Sequence, residues 1–90
     1  MNAVEEILKL KAETESDIEG HSVILLAEEA GQIMRRTMRE KMAQGRAGWW
    51  DSTECHTDVL HRGFAKALQE NRIDDVINYA CMIRSRENNE

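Results

Sequence analysis

Four acidic residues have a spacing that could hold a metal ion: Glu28, Glu29, Asp74 and Asp75. Carboxylates on two facing helices can bind Mg²⁺, which prefers oxygen ligands and keeps waters for phosphate substrates. The simpler interpretation is structural, because Asp74 and Asp75 would stand at the start of a helix, where negative charge complements the helix dipole. We therefore expect no metal or other cofactor, with these four residues as the alternative Mg²⁺ site.

The cysteines and histidines raise two other kinds of chemistry, zinc binding and nucleophilic catalysis. Cys55 and His56 are adjacent, and His56 and His61 lack the cysteine pair that accompanies histidines in structural zinc sites. A nucleophile needs an oriented base beside it, whereas neighbouring residues on a helix point about 100 degrees apart. We expect neither a zinc site nor catalytic residues, and we expect Cys81 to act as a small hydrophobe on the inward side of the last helix.

The segment GRAGWWDSTECH, residues 45–56, places Trp49 and Trp50 side by side in a chain with one tyrosine and one phenylalanine. Each tryptophan can bury roughly 150–250 Å² and needs a partner for its indole N–H. Adjacent loop residues usually point to different sides, so we expect one indole to close the space between the flanking helices. The other would be exposed or lie in an interface, where tryptophan is enriched. The candidate binding residues are Trp49 and Trp50 with the nearby cations Arg35, Arg39 and Arg46.

Helical periodicity, the absence of proline and a composition rich in strong helix formers predict an all-α protein. We predict one domain, residues 1–90, that forms a small helical bundle of three main helices plus a short N-terminal helix. A chain of this length buries only about 60–65% of its unfolded surface, so we expect oligomerisation to complete the core. The predicted segments are an N-terminal helix over 2–14, a long helix over 16–44, a Trp loop over 45–53, and helices over 54–70 and 72–86.

Several residue types mark where these helices should begin and end. Gly45 suits the left-handed position that follows the long helix, and the tail from residue 86 to residue 90 should fray. The predicted N-terminal caps are Ser16 paired with Glu19, then Ser52 or Thr53, and finally Asn71 paired with Asp74.

Asn78 is a residue of the last helix whose role depends on burial. It lies three and four residues after Asp75 and Asp74 and so shares their face of the helix. If that face is buried, its amide needs hydrogen-bond partners; if it is exposed, no conclusion follows. The predicted inward stripes of the long and last helices are Val23, Leu26, Ala27, Ala30, Ile33, Met34, Met38 and Met42, and Ile73, Val76, Ile77, Ala80 and Ile83.

Charge and hydropathy exclude several classes of partner. Residues 1–34 carry two bases and eight acids, a net charge of −6, and residues 35–90 carry ten bases and nine acids, a net charge of +1. Affinity for DNA or RNA depends on an excess of Lys and Arg, so we do not expect nucleic-acid binding. No apolar run approaches the ~20 residues of a membrane span, and the first residues lack the apolar length of a signal peptide. We expect a cytoplasmic protein with reduced cysteines.

The segments GRAGWWDSTEC and DDVINYACMIRSR, residues 45–55 and 74–86, resemble small early proteins of lambdoid phages and prophages, in particular the Ead-type accessory proteins. The shared order is Gly-Arg-x-Gly-Trp, a Cys a few residues later, a Leu-containing helix, and Asp-Val-x-Asn-Tyr/Phe-Ala-x-Met. The resemblance covers residues 40–86. It implies a phage setting and a host cytoplasm, and it supplies no catalytic residues.

A second resemblance is to the all-α nucleotide pyrophosphohydrolases of the MazG type, which bind Mg²⁺ through acidic residues on two helices. LLAEEAGQI and IDDVINYA, residues 25–33 and 73–80, occupy comparable places. The sequence departs from that pattern, because Gly31 and Gln32 stand where the second Glu of Glu-x-x-Glu would be, and Asn78 follows Asp75 where an acid is expected. The resemblance implies a pyrophosphohydrolase or a catalytically inactive nucleotide-binding relative.

The leading functional prediction is a non-enzymatic phage or prophage accessory protein that binds and modulates a host protein. It would act as a homodimer or other homo-oligomer, through the Trp loop and the adjacent basic end of the long helix. The short chain, its poor complement of catalytic residues and the paired tryptophans support this prediction. The alternative is the Mg²⁺-dependent nucleotide pyrophosphohydrolase or its inactive nucleotide-binding relative.

Overall fold

The computed structural model describes residues 2–13 and 17–89. Over these ranges the chain forms four α-helices and no strand, so the predicted all-α fold is confirmed. The helices are α1 (Ala3–Glu13), α2 (Ile18–Ala43), α3 (Thr57–Gln69) and α4 (Ile73–Asn89). Within the described ranges, no helix is both long enough and apolar enough to span a membrane. The chain divides into two compact units, residues 1–33 and 34–90.

Short polar side chains begin both helices of the N-terminal unit. The Asn2 side-chain oxygen accepts a hydrogen bond from the backbone N–H of Glu5 at 2.9 Å, at the start of α1. Asp17 does the same for the backbone N–H of Gly20 at 2.9 Å, at the start of α2. Both contacts satisfy a backbone donor that has no partner within its own helix. The predicted cap Ser16 lies outside the described residues, and Asp17 is the cap that the structure shows.

The N-terminal unit buries little of its apolar surface. Ala3 is buried, and its backbone N–H donates to the carboxylate of Glu29 at 3.1 Å. The predicted inward stripe of the long helix is wrong at Val23, Leu26, Ala27 and Met42, because these residues are exposed. A thin unit built from two helix segments offers the first three of these side chains too few neighbours to cover them. The exposed aliphatic residues of this unit are Val4, Leu8, Val23, Ile24 and Leu26.

In the C-terminal unit, α3 and α4 form the closely packed pair. Leu60 and Ala67 are buried on α3, two turns apart, and Gly63 lies between them. A Cβ atom added to Gly63 would overlap the ring of Tyr79 on α4. The missing side chain therefore lets the two helices approach around an aromatic ring.

Gly45 ends α2 as the sequence predicts. Its φ is 84°, in the left-handed region that favours glycine. Its N–H donates to the carbonyl of Met42 at 2.9 Å, and the N–H of Arg46 donates to the carbonyl of Lys41 at 3.0 Å. This pair of hydrogen bonds is a Schellman motif, which satisfies carbonyls left open at the helix end.

Asn71 closes α3 in the same way, so the prediction that it caps α4 is wrong. Its φ is 57°, a conformation that asparagine tolerates better than most residues. Its N–H donates to the carbonyl of Leu68 at 3.1 Å, and the N–H of Arg72 donates to the carbonyl of Ala67 at 2.8 Å. Asn71 therefore adopts the left-handed conformation that lets the backbone satisfy the last carbonyls of α3.

The start of α3 also differs from the prediction. The helix begins at Thr57, three residues later than expected, and neither Ser52 nor Thr53 caps it. Asp51 accepts hydrogen bonds from both the backbone N–H and the hydroxyl of Thr53, at 2.9 and 2.7 Å. This local turn occupies Thr53 as a donor and delays the helix. His56 is the N-cap residue, without a side-chain capping hydrogen bond.

Helix α4 continues to Asn89, whereas the sequence predicts fraying from residue 86. The cause is Arg86, which is only 6% exposed and donates to the backbone oxygen of Cys55 at 2.6 Å. The inward stripe predicted for this helix is wrong at Ile73 and Ala80, which are exposed. Cys81 is also exposed, so its predicted inward position is wrong.

Candidate ligand-binding cleft

The C-terminal unit contains a cavity of about 600 Å³, here called the Trp cleft. It lies among the end of α2, the Trp loop, the first turn of α3 and the middle of α4. Its volume falls within the range of roughly 300–1,000 Å³ that is typical of ligand pockets. The residues that define it here are Met38, Arg39, Lys41, Met42, Arg46, Trp49, Trp50, Glu54, Val59, Leu60, Asp75, Asn78, Tyr79 and Met82.

The two tryptophans differ in exposure. Trp50 is 68% exposed, whereas Trp49 is half-buried. The sequence predicts that one indole is enclosed and leaves open which one; the structure makes Trp50 the exposed residue and Trp49 the more covered one. Met42 and Val59 are also exposed among the lining residues, so three large apolar side chains of the cleft are accessible to a partner.

Positive charge is concentrated on the α2 side of the cleft. Arg39 and Arg46 line it, and within the described ranges neither forms an ion pair. Lys41 lies 3.8 Å from the carboxylate of Asp75, a residue of the same lining. The two arginines can therefore attract an acidic group of a ligand without first breaking an internal salt bridge.

Asn78 is a buried polar residue among those that border the cleft. It lines the cavity, yet only 3% of it is exposed. Across the residues that the structure describes, neither its amide nitrogen nor its carbonyl oxygen has a hydrogen-bond partner. Leaving a buried polar group unsatisfied costs about 1–3 kcal/mol. Asn78 is therefore buried, although Asp74 on the same face of the helix is exposed, and its amide lacks the partners that burial calls for.

Arg86 holds the backbone around the tryptophans onto α4. Besides Cys55, its guanidinium donates to the backbone oxygen of Trp49 at 3.4 Å and to the hydroxyl of Thr57 at 3.2 Å. These contacts link the loop and the first turn of α3 to one rigid planar group. A second cavity of about 300 Å³ also touches both tryptophans and Arg86, so the indoles lie between two openings.

Hydrogen bonds from Thr53 organise the middle of the Trp loop. They lower the pKa of Asp51 below its usual range, with the Thr53 hydroxyl as the largest cause and its backbone N–H next. A lowered carboxyl pKa stabilises the folded loop above the pKa of the unfolded chain, and the effect is lost as the pH falls through the folded pKa. The backbone N–H of Asp51 also donates to the carbonyl of Gly48, whose φ is 79°. The hydrogen bonds to the Asp51 carboxylate therefore favour this turn at neutral pH.

Three of the four acids of the alternative Mg²⁺ site have other partners. Glu29, in the N-terminal unit, accepts from the backbone of Ala3. Asp74 pairs with Arg36 at 3.2 Å, and Asp75 pairs with Arg72 and Lys41. In the described part of the chain, no group of three or more His, Cys, Asp and Glu side chains could hold a metal ion.

The structure brings four of the five predicted binding residues to one cavity. Arg39, Arg46, Trp49 and Trp50 line the Trp cleft, whereas Arg35 is exposed on α2 outside its lining. The burial of Arg86 is not predicted from the sequence, because nothing in a charged residue near the end of the last helix indicates burial. The sequence singles out Asn78 as a residue whose role depends on burial, and only the structure shows that it is buried.

Comparison with models of known protein families, with curated proteins and with solved structures finds no match to this chain. Relatives therefore supply no ligand, partner or reaction. The chemistry of the Trp cleft carries the functional argument.

Proposed function

We propose that this protein is a non-enzymatic binding protein that captures a segment of a partner protein in the Trp cleft. The observation that carries the proposal is Trp50, which is 68% exposed at the edge of an apolar cavity of about 600 Å³. Tryptophan is enriched among the residues that dominate binding energy, especially beside pockets that become desolvated. Exposed apolar surface around a concave site is typical of protein interaction.

The lining indicates what the bound segment would contain. Met38, Met42 and Met82 provide flexible, polarizable walls that adapt to an inserted apolar side chain. Arg39 and Arg46 would attract an acidic residue beside that anchor. The proposed ligand is therefore an apolar segment with a negatively charged flank.

The setting proposed for this activity is phage or prophage, with a host protein as the partner and the host cytoplasm as the location. The support is the resemblance of residues 40–86 to lambdoid phage accessory proteins. The segments that carry the resemblance, residues 45–55 and 74–86, include the Trp loop and the part of α4 that holds Asn78. Both segments thus contribute residues to the lining of the cleft.

The test is the affinity of the Trp50→Ala variant for a partner isolated from a bacterial host lysate with the wild-type protein and identified. Trp50 is exposed, so the variant should fold, which circular dichroism and Tm would verify. Loss of a central tryptophan costs about 2 kcal/mol or more, which corresponds to a roughly 30-fold rise in Kd by titration calorimetry.

Leu68→Ala is the matched control for Trp50→Ala. Leu68 is also an exposed large apolar residue, but it does not line the cleft. Its replacement should leave the Kd within about twofold. A folded Trp50→Ala protein that binds the partner as tightly as the wild type would show that the proposed surface is wrong.

We also propose that the protein is a homodimer that pairs through the N-terminal unit. Five aliphatic residues there are between 58 and 68% exposed, and Val4 and Leu8 share one face of α1. Full burial of one such side chain contributes about 1.5–3 kcal/mol, so covering the roughly 60% of each of the five that is exposed contributes about 5–9 kcal/mol. A second copy carries the same faces and can cover them in a two-fold interface.

The Mg²⁺-dependent pyrophosphohydrolase remains the alternative, and the ion pairs of its predicted ligands weigh against it. Asp74 and Asp75 would have to exchange Arg36, Arg72 and Lys41 for a metal ion. Release of pyrophosphate from a panel of nucleoside triphosphates with Mg²⁺ or Mn²⁺ would establish the enzyme. A ligand-induced rise in Tm without turnover would instead indicate the inactive nucleotide-binding relative.

A further inference from the structure

Helix α1 and the first half of α2 each carry an exposed stripe of three residues. Within each stripe the spacing is four and then three positions, which places the residues on one face of the helix. The four aliphatic members are between 59 and 68% exposed, and the two charged members are also exposed. The stripes are Val4, Leu8 and Lys11 on α1, and Glu19, Val23 and Leu26 on α2.

The two stripes carry opposite charges at opposite ends. Lys11 stands at the C-terminal end of the α1 stripe, and Glu19 stands at the N-terminal end of the α2 stripe. Among the described residues, neither side chain forms an ion pair. Each charge can therefore pair with an outside group without first breaking an internal salt bridge.

The α1 stripe and the α2 stripe match position by position when the two helices run in opposite directions. Leu8 then faces Val23 at the centre of the contact, and the other two aliphatic residues face each other at one end. Lys11 and Glu19 meet at the other end, where their opposite charges attract. Each helix therefore offers the other an aliphatic side chain for an aliphatic one and a charge for a charge.

Pairing of identical stripes gives no such match. Two α1 stripes would place Lys11 against its own copy when parallel, or against Val4 when antiparallel. Two α2 stripes would place Glu19 against its own copy or against Leu26. Like charges across an interface repel, and a charge pressed against an aliphatic side chain loses water without gaining a partner. A contact of α1 with α2 is therefore favoured over a contact between identical helices.

We propose that in the homodimer α1 of each copy packs antiparallel on α2 of the other copy, with Lys11 beside Glu19 of the partner subunit. The inference rests on the proposed homodimer and specifies its interface. Because the four aliphatic residues of the stripes are exposed, α1 does not cover the α2 stripe of its own chain. A two-fold axis makes the contact twice, so it covers all four stripes and forms two ion pairs that fix the direction of the helices.

Charge reversal at the two stripe ends tests the pairing. The variants Lys11→Glu and Glu19→Lys each replace the two attractive pairs of the dimer with two repulsive ones. We expect each to raise the dimer Kd roughly tenfold, measured on the full chain by sedimentation equilibrium. Both residues are exposed, so the variants should fold, which circular dichroism would verify.

An equimolar mixture of the two variants shows whether the contact joins two copies. In a mixed dimer both contacts again pair opposite charges, so we expect a Kd within about threefold of the wild type. The double variant Lys11→Glu/Glu19→Lys should recover to the same extent. Lys9→Glu and Glu28→Lys are the matched controls, because they make the same charge changes on the same helices outside the stripes. Each should leave the Kd within about threefold of the wild type.

Three results would overturn the inference and leave the homodimer intact. The first is a wild-type Kd for either single variant, and the second is a control variant that weakens the dimer as much as its counterpart in the stripe. The third is recovery in the double variant without recovery in the mixture, which would place the contact within one chain. A wild-type protein with the mass of one chain at high micromolar concentration would contradict both the inference and the proposed homodimer.

Discussion

Gly63 matters because of the residue that occupies its space. The ring of Tyr79 lies where a Cβ would be, so glycine allows α3 to approach α4 beside the cleft. Glycine in a helix interior costs up to about 1 kcal/mol relative to alanine. The contact with the tyrosine ring must offset that cost for the helix pair to be stable.

Replacing this glycine tests the contact. We predict that Gly63→Ala lowers the free energy of unfolding by about 1–3 kcal/mol, because the added methyl group forces the Tyr79 ring or the helices apart. Urea denaturation followed by circular dichroism would measure it. In a Tyr79→Ala background the same substitution should stabilise the chain by about 1 kcal/mol, since only helix propensity then remains. Stabilisation by Gly63→Ala in both backgrounds would show that the ring does not limit the approach of the helices.

The Trp loop is held from both ends, and this element determines whether the cleft exists. At one end, Gly45 closes α2 with a Schellman motif. At the other, Arg86 donates to Cys55, Trp49 and Thr57. Hydrogen bonds from a charged donor to backbone oxygens are among the stronger ones. The loop therefore depends on a residue that is about 30 positions away in sequence.

The effect of Arg86 on the loop can be measured directly. We predict that Arg86→Met lowers Tm by roughly 8–16 °C, which corresponds to about 2 kcal/mol for a domain of this size. Amide hydrogen exchange should accelerate most in residues 49–57, because these lose their link to α4.

Arg84→Met is the matched control, since Arg84 lies two residues earlier on the same helix and pairs with the exposed Glu87 at 4.0 Å. Surface ion pairs of this kind contribute about 0–1 kcal/mol, so Tm should change little. Equal effects of the two substitutions, or exchange that accelerates evenly along the chain, would contradict a specific role for Arg86.

Periodicity and glycine placement reveal the helical elements and the end of α2, because both depend on residues close in sequence. The start of α3 and the extent of α4 are not predicted, since Asp51 competes for Thr53 and Arg86 depends on a distant loop. The Trp loop is recognisable as a candidate site from composition. The burial of Asn78 is not, because it depends on how α3 and α4 pack.

At the scale of the molecule, five of the eight exposed valine, leucine and isoleucine side chains in the described part of the chain belong to the N-terminal unit. In the described part of the chain the buried hydrophobic residues are Ala3, Leu60 and Ala67, and no large side chain is fully buried. A core this small leaves little reserve of stability for a chain of 90 residues. Association through the exposed faces of α1 and α2 would add to it.

The proposed homodimer makes stability depend on protein concentration. We predict that light scattering gives twice the chain mass of 10.4 kDa and that Tm rises with concentration. Leu8→Glu should shift the particle to the monomer, because a charge would be buried in the interface. Leu68→Glu, an exposed leucine on α3, should leave the dimer unchanged. A wild-type mass of one chain at high micromolar concentration would contradict the dimer.

The two tryptophans have a practical consequence. Because both border the cleft, the intrinsic fluorescence of the chain originates at a single place. The emission wavelength of an indole depends on its contact with water, so the exposed ring of Trp50 should emit at the red end of the tryptophan range. Any occupant that covers it would shift the emission to the blue, and the protein therefore reports occupancy of its own site without an attached dye.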